Sequence, residues 1–102
     1  MDRIAMLSEI LSQNPNDAFA RYGLAMEYSK SGEVEPALAE FGKLIAAHPD
    51  YTAGYFMAAQ ALNQAGRADD AKKMLVNGIA SAQRTGNSHA LAEMEGMLGE
   101  LG

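Results

Sequence analysis

Punctuation recurs at a fixed distance along this chain. Pro15 and Pro49 stand 34 residues apart, and Gly32/Gly66 and Ala37/Ala71 keep the same spacing. The apolar sets Leu7/Phe41/Leu75 and Tyr28/Leu62 share that offset. A period of this length marks a short supersecondary unit that cannot bury its apolar side alone. Successive units must therefore stack and share one core.

The units are helical. Alanine, the strongest helix former, occurs 19 times, whereas valine, isoleucine and threonine together occur eight times. No stretch alternates apolar and polar residues long enough for a strand. Asn14-Pro15-Asn16-Asp17, Ser31-Gly32-Glu33, His48-Pro49-Asp50, Ala65-Gly66-Arg67 and Thr85-Gly86-Asn87 divide the chain into six predicted helices. These run over about 2–13, 17–30, 33–47, 51–64, 67–84 and 87–101, and such short turns make neighbours antiparallel. At 102 residues the chain has the size of one domain.

The first full unit carries Arg21, Leu24, Ala25, Tyr28, Gly32, Ala37, Phe41 and Pro49 in order. The second carries Tyr55, Ala58, Ala59, Leu62, Gly66, Ala71 and Leu75, with Gln83 where a proline would fall. This order resembles the tetratricopeptide repeat family, whose pattern is W-x2-L-G-x2-Y, then A-x3-F, then P. Leu24, Tyr28, Ala37, Phe41 and Pro49 match it, while Arg21 occupies the tryptophan slot. The resemblance implies an all-α, right-handed solenoid of helical hairpins: an N-terminal helix in 1–15, repeats at 18–51 and 52–85, and a capping helix in 86–102. The missing proline predicts that the fifth helix runs on for an extra turn.

Physical chemistry accounts for the slots. Ala25, Ala37, Ala59 and Ala71 let helix axes approach closely, and Leu24, Tyr28 and Phe41 fill the space between them. Gly32 and Gly66 fall where a helix must end in a left-handed conformation. Leu91, Met94, Met97, Leu98 and Leu101 form one stripe of the last helix, as do Ile4, Leu7, Ile10 and Leu11 of the first. One-sided end helices suit the caps of a stack.

Chemistry has no visible home. There is no phosphate loop, zinc-protease motif or nucleophile elbow, and there is no cysteine. His48 and His89 lack partner spacing and read as surface residues. Asp69 and Asp70 suit a helix start, and Glu33, Glu35, Glu40, Lys72 and Lys73 read as solvated faces. The expectation is a non-enzymatic chain with no cofactor and no metal. A net charge of −5 opposes nucleic-acid binding, and no apolar run approaches the ~20 residues of a membrane span. A cytoplasmic location fits the absence of cysteine and of a signal peptide.

The second helix has a surplus apolar side. Phe19, Tyr22 and Met26 lie roughly 130° from the stripe of Leu24, Ala25 and Tyr28 at about 100° per residue. In the family, first helices of successive units line a concave groove that holds a peptide. Carried over at the 34-residue offset, the groove presents Phe19, Tyr22, Met26, Phe56, Gln60, Asn63, Ala90 and Met94. Tyr22 and Met26 stand where some members place a carboxylate-clamping lysine and asparagine, so an apolar or mixed peptide is expected. The resulting reading is a protein-protein interaction module for a partner's peptide or helix. The alternative is a homo-oligomer that uses the groove or an end helix for self-association.

Overall fold

In the computed structural model, residues 2–102 are described, and they form six helices. These are α1 (Arg3–Gln13), α2 (Ala18–Lys30), α3 (Val34–Ala47), α4 (Thr52–Gln64), α5 (Ala68–Thr85) and α6 (Ser88–Leu101). No strand occurs among the described residues, and no helix there is long and apolar enough to cross a membrane.

Asp2, Asp17 and Asn87 cap α1, α2 and α6 by accepting from the amides of Ala5, Ala20 and Ala90. Asp69 and Asp70 sit in the first turn of α5, but Asp70 pairs with Arg67 at 3.1 Å. α2 and α4 end on Gly32 (φ 77°) and Gly66 (φ 79°). The amide of Glu33 donates to the Tyr28 carbonyl, and that of Arg67 to Leu62, each at 2.9 Å. Only a left-handed residue lets the chain turn this tightly while satisfying those carbonyls.

Consecutive helices pack in antiparallel pairs, and the core runs the length of the stack as three linked clusters. Leu7, Leu11, Ala20 and Leu24 join α1 to α2. Ala25, Ala37, Phe41, Leu44 and Ala58 join α2, α3 and α4. Tyr55, Ala59, Leu62, Ala71, Leu75, Ala82 and Met94 join α4, α5 and α6. Ala25, Ala37, Ala59 and Ala71 are all fully buried, as close axial approach requires. Tyr28 is only half-buried and bridges the first two clusters.

Arg21, in the tryptophan slot, ties elements together by charge. Its guanidinium pairs with Glu40 of α3 and donates to the Pro15 carbonyl at 2.9 Å. Glu40 is thus half-buried and paired, not part of a solvated face. A second polar knot lies 34 residues on. The Pro49 carbonyl accepts from Tyr55 Oη (2.8 Å), Ser81 Oγ (3.1 Å) and Arg84 (3.0 Å). Thr52 and Ser81, both buried, share a hydroxyl hydrogen bond of 2.9 Å. Asp50 accepts from Arg84 Nε at 2.9 Å, and this bond raises the guanidinium's pKa.

α5 has 18 residues where α3 has 14, so the extra turn is present. Arg84 lies in that added turn, which is how it reaches the α3–α4 connection.

Candidate functional site

The stack is curved. The backbones of α2 and α4, and of α4 and α6, come close, whereas those of α1 and α3, or of α3 and α5, stay farther apart. The inner face is therefore built from α2, α4 and α6, and the outer face from α1, α3 and α5.

On α2, Phe19 projects into solvent with 77% of its surface exposed. Tyr22 behaves differently, because its ring is half-buried against two others. It meets Phe41 edge-on at 6.4 Å and Tyr51 at 5.4 Å between centroids. Burial raises the Tyr22 phenol above its ordinary pKa, with the Tyr51 phenol adding to the effect. Burial does the same to Tyr51. Met26 packs on the same cluster. Tyr22 and Met26 are thus drawn against the core shared by α2, α3 and α4, while Phe19, one turn earlier on α2, is exposed.

On α4, Phe56 and Gln60 are half-exposed and Asn63 is exposed. With Gln64 they form one wall of a cleft of about 490 Å³ between α4 and α6. The α6 wall differs from the expectation. Met94 is fully buried, and Ala90 is half-buried against the same core. The wall consists of Ala92, Glu93, Gly96, Met97, Glu100 and Leu101.

A change of register explains the difference. Four residues connect α3 to α4, but two connect the longer α5 to α6. α4 begins at Thr52 and α6 at Ser88, a spacing of 36 residues. Two extra residues turn a helix by about 200°. The equivalents of Tyr55, Ala58 and Leu62 are therefore Leu91, Met94 and Leu98, which supply the α6 side of the core. Those of Phe56 and Gln60 are Ala92 and Gly96. Met94 fits an alanine slot because Gly78 faces it: a Cβ on Gly78 would lie 2.6 Å from Met94 Sδ. The α3–α4 contact reverses this division of volume, with Leu44 against Gly54.

No group of three or more His, Asp or Glu side chains among the described residues could hold a metal. His48 Nε2 is 3.0 Å from the Asn16 carbonyl, and His89 lies 3.2 Å from Glu93 on the surface. What the inner face offers is a shaped, partly apolar surface.

Architecture and inner face define the class: a stack of helical hairpins with a continuous first-helix surface. The tetratricopeptide repeat family model matches residues 30–94, and the chain belongs to that family. It is 28% identical over 95 residues to the TPR repeat-containing protein PA0015 of Pseudomonas aeruginosa, covering 93% of this chain and 90% of that one. The solution structure of a tetratricopeptide repeat domain protein from Salinibacter ruber matches with a TM-score of 0.80 at 32% identity. That match covers 86% of this chain and 89% of the other. PcrH, solved in complex with the chaperone binding region of PopD, shares the fold with a TM-score of 0.89 at 20% identity. That match covers 96% of this chain and 74% of PcrH. As a member of this family, the chain is a non-catalytic protein-interaction module.

Proposed function

We propose that the inner face binds a peptide or helical segment of a partner protein, along a path from Phe19 on α2, past Phe56 on α4, to Gly96 on α6. The carrying observation is the open α4–α6 cleft, walled by Phe56 and Met97 and covered by nothing within the described chain. Phe19 on α2 adds an exposed aromatic ring, and such a ring is a typical interface anchor. The similarly folded PcrH, solved with a region of PopD, supports a protein segment as ligand.

The test is a random-peptide display library panned on the immobilised chain, with each enriched peptide titrated against variants. Gly96→Phe fills the cleft from an exposed position where a Cβ meets nothing within 4 Å, and its melting curve is read beside the binding to check that it folds. Enriched peptides should lose most of their affinity for Gly96→Phe and keep it for Val76→Ala on the outer face. Equal binding to both variants overturns the reading.

Self-association through an end helix is the second reading. Met6 and Ile10, one turn apart on α1, are 42% and 41% exposed. Sedimentation of the wild type and of Met6→Lys/Ile10→Lys decides it: a dimer that the double variant abolishes supports self-association, and a monomer in both excludes it.

A further inference from the structure

α6, which forms one wall of the cleft, breaks two local rules without a packing reason. Gly96 and Gly99 lie inside the helix, where glycine is the poorest residue after proline, yet a Cβ at either position would meet nothing within 4 Å. Glu100 sits in the last turn, the wrong end of the helix dipole for an acid, and no basic residue accompanies it there. Among the described residues Glu100 has no ion-pair partner, and Glu93 has only the exposed His89 imidazole. By contrast, six of the eight Lys and Arg side chains are committed to ion pairs elsewhere. No Lys or Arg lines the cleft. Departures from local preference that stabilise nothing in the fold belong where a surface does work.

From this arrangement we infer that the α4–α6 cleft takes a basic amphipathic helix, with Lys or Arg at positions i and i+7 and apolar side chains at i+3 and i+4. Glu93, Met97 and Glu100 share one stripe of α6, and the two carboxylates are about 10 Å apart along the axis. A helix laid alongside α6 presents residues i and i+7 at that same separation and on one side. Its intervening apolar pair then meets Phe56 and Met97, while Gly96 leaves room for close approach of the two helices. An extended segment fits less well. At about 3.3 Å per residue, three residues span the distance but place the outer side chains on opposite faces. Gln60, Asn63 and Gln64 on the α4 wall supply neutral hydrogen-bonding groups that do not oppose a cation.

The inference rests on the inner-face reading, and the experiment separates their failures. A display library of about 16 residues, long enough for four helical turns, is panned on the full chain. Enriched sequences are titrated against wild type, Gly96→Phe and Glu93→Gln/Glu100→Gln. Both Gln substitutions lie on exposed helical positions and conserve side-chain volume, so they leave the fold intact. The expected result is enrichment of Lys or Arg seven residues apart around an apolar pair. Affinity should fall at least about tenfold with Gly96→Phe, and about three- to tenfold with the double Gln variant, as two exposed ion pairs allow. Raised salt should weaken wild-type binding and barely affect the double Gln variant. Peptides that require Gly96 yet carry no basic residues, or ignore the Gln substitutions, overturn this inference and leave the groove standing. Peptides indifferent to Gly96→Phe overturn both. A dimer that Gly96→Phe dissociates assigns the cleft to a second copy and also overturns the inference.

Discussion

Adding one methyl group at Gly78 should destabilise the protein, although the same change at Gly42 or Gly96 should stabilise it. Gly78 is buried in the middle of α5, where a Cβ would stand 2.6 Å from both Met94 Sδ on α6 and Tyr55 Cβ on α4. Ordinary carbon contacts lie at about 3.5–4 Å. The Met94 thioether can rotate away, but Tyr55 Cβ is fixed to the α4 backbone, so α4 and α5 must separate. Overpacking of this kind costs about 1–3 kcal/mol. Alanine's helix propensity returns at most about 1 kcal/mol. With that return in full, the net loss is up to about 2 kcal/mol, or a fall of up to roughly 15 °C in melting temperature for a domain this size. Gly42→Ala and Gly96→Ala are the controls, because a Cβ at either meets nothing within 4 Å. Each should gain up to about 1 kcal/mol. Coupling adds a second check. In Gly78→Ala/Met94→Ala the sulfur contact is gone, so the double variant should be more stable than the sum of its singles by at least about 0.5 kcal/mol. Melting curves read by circular dichroism suffice. If Gly78→Ala melts at or above the wild type, the close three-helix approach at this point is wrong, and with it the assignment of Met94 to the core.

Three aromatic truncations should grade by burial. Phe41→Ala should cost about 3–5 kcal/mol and Tyr22→Ala about 1–3, while Phe19→Ala should stay within about 0.5, each read as the midpoint of urea unfolding. Alkali should destabilise the fold through Tyr22 and Tyr51. Their folded pKa values lie above the ordinary 10.0, so the unfolded chain releases these protons first, and stability is full below pH 10 and declines above it. Tyr22→Phe/Tyr51→Phe should flatten that decline in a melting series over pH. Arg21→Ala should cost about 1–3 kcal/mol, because it leaves the Glu40 carboxylate half-buried without its α2 partner. Arg21→Ala/Glu40→Ala should recover part of that loss in the same assay.

Much of this architecture was legible because its signals are local. A proline, or a glycine that must turn left-handed, ends each helix where the sequence says it does. The apolar stripe of α6 read correctly from the helical wheel, with Met94 buried, and that of α1 read correctly at Leu7 and Leu11 but not at Ile10, which is exposed. Inner-face residues on α4 were legible too, since nothing irregular intervenes between Pro49 and Asn63. Non-local contacts were not. Tyr51, expected to open the fourth helix, instead precedes α4, and its packing against Tyr22 of α2 is a contact between elements that no wheel shows, so a ring expected in an open groove proves half-buried. Arg21 and Glu40 look like ordinary surface charges until α2 and α3 are brought together.

The α6 wall failed for a reason that the residues themselves contain. Under a strict 34-residue offset, Gly96 would occupy the place of Leu62, a core position. Such a register would leave a void where a leucine should be. Moving on by two residues puts Leu91, Met94 and Leu98 inward and turns Glu93 and Gly96 to the cleft. The longer α5 and its shortened connection are the backbone's means of making that move. Arg84, carried by the added turn, holds it in place through Asp50 and the Pro49 carbonyl. Composition of α6, length of α5 and the polar knot at Pro49 therefore specify one arrangement together. The acidic, glycine-notched cleft is the surface that this arrangement turns outward.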